Sequence, residues 1–428
     1  MAGRGHRRDG RFRRRARGLT LDLTPLRVSR DFRRLWIGLF VSELGYQFAR
    51  VAIYVQVQEL TGSAAAVGLV GLTGLVAAIA GALVAGAFVD AHDRRTILLW
   101  SQVAFASAAV ALVANATSQA PTLWLIFGAN AVTSFVAAVE SPARSAMTPR
   151  LVGVDLVPSA VALNQVLWQT VSIAGPALGG LLIATAGYAW VYGVDLITYA
   201  ALFLAALGMR PMPPDHDATS ALGIRAAREG FRYVADDRLL QSTFVIDLVA
   251  MVFGMPMALF PLLAVTQFDG DDAVVGLLFA APAVGALLQA LAAGWTRRVR
   301  RQGEVVIWAV LGWGAAIVAF GAAGSNLPLA LVCLAVAGAA DAVSAIFRST
   351  ILQTTVPDRL RGRLGSIFFL VVTGGPRLGD FEAGLVATTF SPTVSVVSGG
   401  VACLVGAAIV AACYPELRRY RATIPEPT

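Results

Sequence analysis

The sequence predicts an all-α membrane protein, with twelve transmembrane helices in two repeated six-helix halves. Three observations carry this. First, 57% of the 428 residues are hydrophobic and only 14% are charged, whereas soluble domains average about 25% charged residues. One or two soluble cores cannot hide that much apolar surface. Second, twelve apolar stretches each reach the roughly 20 residues a helix needs to cross a bilayer. Third, the arginines fall almost entirely at alternate ends of those stretches.

The stretches are 34–59, 64–89, 96–116, 121–141, 159–185, 188–209, 239–266, 272–294, 304–324, 327–350, 364–390 and 393–414. The first is too long for a cleaved signal peptide and has no small-residue cleavage site. The second is rich in glycine (Gly68, Gly71, Gly74, Gly81, Gly86). Small residues let helix backbones approach closely in lipid. All 34 basic residues are arginine. Twelve lie in the tail through Arg34. Arg94 and Arg95 follow the second stretch, and Arg144 and Arg150 the fourth. Arg210, Arg225, Arg228, Arg232 and Arg238 follow the sixth; Arg297, Arg298, Arg300 and Arg301 follow the eighth. Arg348, Arg359, Arg361 and Arg363 surround the end of the tenth, and Arg418, Arg419 and Arg421 follow the twelfth. By the positive-inside rule both termini and the loops after even-numbered helices are expected in the cytoplasm, in a bacterial-type inner membrane.

Residues 1–30 read as a disordered arginine-rich tail near anionic headgroups, with no nucleic-acid role expected. The halves are 31–210 and 237–414, and 415–428 is a second cytoplasmic tail. The connector 211–236 begins with Pro211, Pro213 and Pro214. It then places Ile224, Ala227, Phe231 and Val234 on one helical face, as in an interfacial helix. Cys333, Cys403 and Cys413 lie in apolar runs without metal-ligand spacing, and His6, His92 and His216 in polar segments. No metal site and no cofactor is expected.

The halves echo each other. Gly68 and Gly276, Gly86 and Gly294, and Pro149 and Pro357 are each 208 positions apart. Gly175-Pro176-Ala177-Leu178-Gly179-Gly180 recurs, 200 positions on, as Gly375-Pro376-Arg377-Leu378-Gly379-Asp380. A parallel repeat of six helices puts a substrate site between the halves, near the bilayer midplane.

With Gly86, Asp90, Arg94 and Arg95 after helix 2, the chain resembles the major facilitator superfamily, whose loop there reads G-x-x-x-D-R-x-G-R-R. It departs at Ala91 and Asp93. The resemblance implies a latch between the cytoplasmic ends of the halves. Gly175, Pro176, Gly179 and Gly180 resemble the helix-5 motif of proton-coupled exporters in that superfamily, though Val171 replaces its earlier glycine. Proline bends the helix, and the glycines allow a tight seam. Ser141-Pro-Ala-Arg144, Pro149-Arg150-Leu-Val-Gly153, Leu352-Gln353, Pro357 and Arg361-Gly-Arg363, with the tail Glu416-Leu-Arg-Arg-Tyr-Arg421, resemble the enterobactin-exporter branch. That implies efflux of a siderophore or related metabolite, powered by a proton gradient.

Charges inside the membrane cost roughly 2.5–3.5 kcal/mol each on insertion scales and need a reason. Glu43, Gln47, Arg50 and Tyr54 form one stripe on helix 1. Glu43 is the first candidate for the proton, with Asp247 and Asp341 behind it, while Glu140 and Asp195 read as solvated or capping. Arg50 and Arg377 are candidates for an anionic substrate. Gln165, Trp168, Gln169 and Ser172 form a face that can line a cavity, with Trp168 as a stacking platform. Arg377 and Asp380 stand at i, i+3, a spacing that permits an ion pair, and the pair is expected to gate. The expectation is a monomeric secondary exporter of a small molecule, embedded in lipid, and not an enzyme. Multidrug or macrolide efflux, lysophospholipid flipping and a non-transporting sensor or scaffold are the alternatives.

Overall fold

A computed structural model describes residues 22–213, 231–356 and 358–422. Each predicted stretch is a helix: α1 Arg30–Thr61, α2 Ala64–Ala91, α3 Arg94–Thr117, α4 Leu123–Val152, α5 Val157–Ala186 and α6 Tyr188–Leu207 in the first half. The second half has α7 Arg238–Phe268, α8 Asp272–Leu291, α9 Gln302–Gly321, α10 Leu327–Thr355, α11 Asp358–Thr389 and α12 Pro392–Cys413. Among the described residues, ten of these are long and apolar enough to cross a membrane. The remaining two, α1 and α11, carry Glu43, Gln47, Arg50 and Tyr54, and Arg377 and Asp380, respectively.

The helices alternate in direction, so both tails and the loops after even-numbered helices share one end, here termed the terminal end. Within the first half α1 packs on α5 and α6, α2 on α4, and α3 on α4 and α6. The second half repeats this: α7 on α11 and α12, α8 on α10, and α9 on α10 and α12. The halves meet along two seams, α2 with α11 and α5 with α8.

Both seams close at the end away from the tails, and glycine makes the closure possible. At Gly180 a Cβ would stand 2.8 Å from the Gly276 Cα of α8. At Gly68 it would stand 3.0 Å from the Phe381 Cα of α11. No side chain fits in either place without separating the backbones. Gly175 and Gly179 turn the other way, against Gln47 and Phe48 of α1. Gly375 and Gly379 face Met251 and Val252 of α7 in the same manner. The repeated motif therefore has one purpose in both halves, except that Asp380 stands where the first half has Gly180.

Helix α7 departs from the expected unbroken span. It stops at Phe253 and resumes through a short turn, Met257–Leu259, into Phe260–Phe268. Pro256 has no N–H to give and cannot continue a helix. The freed groups still need partners, because water is scarce at that depth. The indole N–H of Trp313 donates to Gly254 O at 2.7 Å, and the Ala258 N–H donates to Asp380 Oδ1 at 2.9 Å.

The described part of the first tail is not disordered. Thr24–Val28 forms a short helix, and Asp22 accepts a hydrogen bond from Ser159 at the start of α5 (2.8 Å). Hydrogen bonds from the Thr24 and Ser159 side chains hold the Asp22 carboxyl below its usual pKa. In the connector, Ile224 and Ala227 lie outside the described residues, as does Pro357; Val234 is buried while Phe231 is exposed.

Candidate functional site between and within the halves

Glu43 sits on α1 where predicted, and its partner is Arg144 of α4. Arg144 Nη1 donates to Glu43 Oε1 at 2.8 Å and lies 3.7 Å from Glu140 Oε1. Glu140 in turn approaches Gln102 Nε2 at 3.4 Å. Arg144 is therefore not a loop arginine marking topology. Helix α4 continues through Pro142 and Pro149 to Val152, which brings Arg144 alongside α1. Glu140 is only 4% exposed and Asp195 only 3%, so neither is solvated as expected from position alone. One guanidinium faces two carboxylates, which leaves this buried cluster one positive charge short.

The second half repeats the arrangement. Arg348 of α10 pairs closely with Asp247 of α7 and lies 3.9 Å from Asp341. The Arg348 and Asp247 side chains are 3% and 2% exposed, so Arg348 too is a buried partner and not a topology marker. Glu43 and Asp247 are 204 positions apart, and so are Arg144 and Arg348. The repeat thus builds the same acid–arginine contact twice, between helices 1 and 4 of each half.

Arg377 and Asp380 do not pair with each other. Arg377 donates to Gly74 O (2.7 Å) on α2 and to Ser134 Oγ (3.3 Å) on α4. Asp380 accepts the Tyr54 hydroxyl proton at 2.6 Å with Oδ2 while Oδ1 caps the broken α7. Side chains at i and i+3 on α11 have opposite neighbours here, because α11 lies between α2 and α7. The expected ion pair is absent; instead each residue separately hydrogen-bonds the first half across the seam. Tyr54 faces that seam and is buried.

A cavity of about 260 Å³ lies between the halves. Gln47, Arg50, Gln169 and Ser172 line it from the first half, and Phe279, Trp313 and Asp341 from the second. The α7 break, Gly254–Met257, opens onto it. Two further cavities, about 340 and 270 Å³, share Glu43, Arg144, Ser141 and Trp168. Trp168 lies under the Arg144 guanidinium, 5.8 Å from ring centroid to carbon. The predicted α5 face is therefore split: Gln169 and Ser172 reach the central cavity, Trp168 lines the cavities beside Glu43, and Gln165 is exposed and lines neither.

The loop after α2 holds its own half. Arg95 donates to Ala206 O and Leu207 O at 2.9 and 2.8 Å, at the C-terminal end of α6. There the helix dipole favours a cation. Arg94 and Arg150 both donate to Pro213 O, at 3.0 and 2.6 Å, and Asp93 accepts from the Met212 N–H. Asp90 Oδ2, beyond Gly86, is buried without a hydrogen-bond partner. In this conformation these residues anchor the start of the connector, where a latch to the other half was expected.

Twelve helices in two repeated halves, sealed at one end by small residues around a polar central cavity, define a membrane transporter. The comparisons agree. The family model described as transmembrane secretion effector matches residues 20–425. Enterobactin exporter EntS of Shigella boydii is 31% identical over 414 residues, covering 95% of this chain and 97% of that protein. EntS of Escherichia coli is 30% identical over the same coverage. Among solved structures, a bacterial homologue of the iron transporter ferroportin in an inward-facing state superposes with TM-score 0.67 at 16% identity, covering 91% of this chain and 99% of that one. A D-xylose–proton symporter gives 0.69 at 15% identity, with 90% and 98% covered. The chain belongs to the transmembrane secretion effector family of the major facilitator superfamily, on the branch that resembles enterobactin exporters. It is a multi-pass membrane transporter and not an enzyme.

Proposed function

We propose that this chain, acting as a monomer, exports a siderophore-like small metabolite across a bacterial cytoplasmic membrane in exchange for protons. Both tails then lie in the cytoplasm. The observation that carries the reading is similarity to enterobactin exporters at 31% identity along 95% of the chain. The charge arrangement supports the coupling. Glu43 and Glu140 share one guanidinium beside a cavity of about 270 Å³, so this cluster carries one acidic group more than Arg144 can neutralise. Glu43 is the first choice for the coupling acid, with Asp247 and Asp341 behind it. In the cycle, substrate enters from the terminal end, the halves rock to open the sealed end, and a proton from outside loads the acid as substrate leaves. Arg377, released from Gly74 and Ser134 when the seam opens, becomes available to an anionic substrate on its way out.

Two measurements test this. Culture supernatants of cells with and without the gene are compared under iron starvation and repletion; absence of any iron-dependent difference in a secreted chelator overturns the substrate. In proteoliposomes, substrate addition dissipates an imposed pH gradient for the unaltered protein and not for Glu43→Gln. Undiminished dissipation by that variant overturns the assignment of the acid.

A further inference from the structure

The lining of the central cavity includes one cation and one anion, and they come from opposite halves. Arg50 stands on α1 and Asp341 on α10. They do not pair with each other. Among the described residues Arg50 makes no ion pair; its Nε is buried without a hydrogen-bond partner, and its guanidinium lies 5.8 Å from the centroid of the Phe279 ring. Asp341 has only a share of a partner. Arg348 is in close contact with Asp247, and Asp341 Oδ1, 3.9 Å away, makes no hydrogen bond. Two carboxylates on one guanidinium leave a negative charge in excess, and it faces the cavity through the Asp341 side chain, which is 26% exposed.

A cavity with a positive pole on one wall and a negative pole on the other matches neither a simple anion nor a simple cation. Either would bring a like charge against one wall. Gln47, Gln169 and Ser172 also line the cavity and offer hydrogen bonds, and the largely buried rings of Phe260, Phe279 and Trp313 form an aromatic stretch of its wall. We propose that the cavity binds an amphoteric aromatic molecule. Its acidic group lies on Arg50, its ammonium or equivalent donor on Asp341, and its ring against Phe260, Phe279 and Trp313. Such a ligand touches both halves at once. The physiological meaning of this site rests on the export reading, but its charge pattern is measured independently of proton movement.

The test uses the purified full chain in lipid nanodiscs and four fluorescent probes with one shared aromatic group. These are Nε-dansyl-lysine (zwitterion), dansylcadaverine (cation), dansyl-6-aminohexanoate (anion) and dansyl-pentylamide (neutral), each titrated by dansyl fluorescence. The zwitterion is expected to bind about tenfold or more tighter than either singly charged probe, as one extra charged hydrogen bond provides. Arg50→Gln removes its advantage over the cation and keeps its advantage over the anion; Asp341→Asn does the reverse. Asp341→Asn leaves Arg348 paired with Asp247, and the ranking of the four probes on the unaltered protein needs no variant. The proposal is overturned if the cation, the anion or the neutral probe binds as tightly as the zwitterion, if the zwitterion does not saturate, or if both variants keep the original ranking. A zwitterion-selective cavity in a protein that moves no protons would leave this site standing and remove the antiport.

Discussion

Replacing Tyr54 by Phe tests whether the seam is held by the contacts described. Tyr54 donates to Asp380 Oδ2 at 2.6 Å, across the boundary between α1 and α11. The substitution keeps the ring and its edge contact with Phe279, and removes only the donor. In the closed seam Asp380 Oδ2 is then buried without a partner, a cost of about 1–3 kcal/mol. In the open seam water supplies the partner and the cost vanishes. The closed state loses stability by that difference, and 1.4 kcal/mol is about tenfold in an equilibrium. The shift is therefore roughly 5- to 150-fold, and an equilibrium closed by about 100:1 moves to between about 20:1 and parity. Spin labels at Gln119, after α3, and Ser325, after α9, stand on opposite halves at the sealed end and report the change by electron–electron double resonance. Cys413 is the one exposed native cysteine and is replaced first by serine. A longer-distance population that grows in Tyr54→Phe is expected. An unchanged distance distribution refutes the assignment of this bond to the seal.

Other perturbations separate the remaining contacts. Arg348→Ala strands the buried Asp247 carboxylate and leaves the half-buried Asp341 beside it without a cation, and is expected to cost about 3–5 kcal/mol. Arg144→Ala costs less, because its pair with Glu43 is 24% and 15% exposed; equal losses in unfolding midpoint would contradict the difference in burial. Gly180→Val places its side chain against Gly276. It should leave the protein folded by circular dichroism, shift the same spin-label distances outward and abolish transport; a closed seam in this variant would show that the close approach is dispensable. Trp313→Phe removes the donor to Gly254 O and is expected to lower stability by about 1–3 kcal/mol, read as earlier unfolding on heating in detergent.

Most of the fold was legible because a bilayer imposes one length scale on every span, and among the described residues ten of the twelve helices meet it by length and apolarity. The helix ends were less legible, since hydropathy marks where apolar residues stop and not where hydrogen bonding stops. Arg144 and Arg348 are the clearest cases. Arg144 lies past the end of its apolar stretch and Arg348 at the very end of its own, on helices that run on to Val152 and Thr355, so each reads as a charge marking the cytoplasmic end although it is paired inside a half. Their acids lie 101 positions earlier, beyond the reach of local spacing rules. The Arg377–Asp380 spacing misled in the opposite direction, because neighbouring helices offered each side chain a better partner than the other one did. The α7 break had a visible signal in Gly254-Met-Pro256. Arg50 was legible as an outlier, and among the described residues it makes no ion pair, although it shares the neighbourhood of Tyr54 with Asp380.

The two acid–arginine pairs also dictate an order of events during synthesis. Glu43 enters the membrane with the first helix, and its partner is 101 residues behind. At about 5–20 residues per second, the carboxylate waits roughly 5–20 seconds for the fourth helix. The seventh and tenth helices repeat that wait. Until each arginine arrives, an early helix carries a charge that lipid disfavours by about 2.5–3.5 kcal/mol, which keeps it beside the insertion machinery or in protonated form. Completion of a helix quartet, rather than of single helices, is then the step that commits each half to the lipid, and the ribosome delivers the transporter as two such commitments in succession.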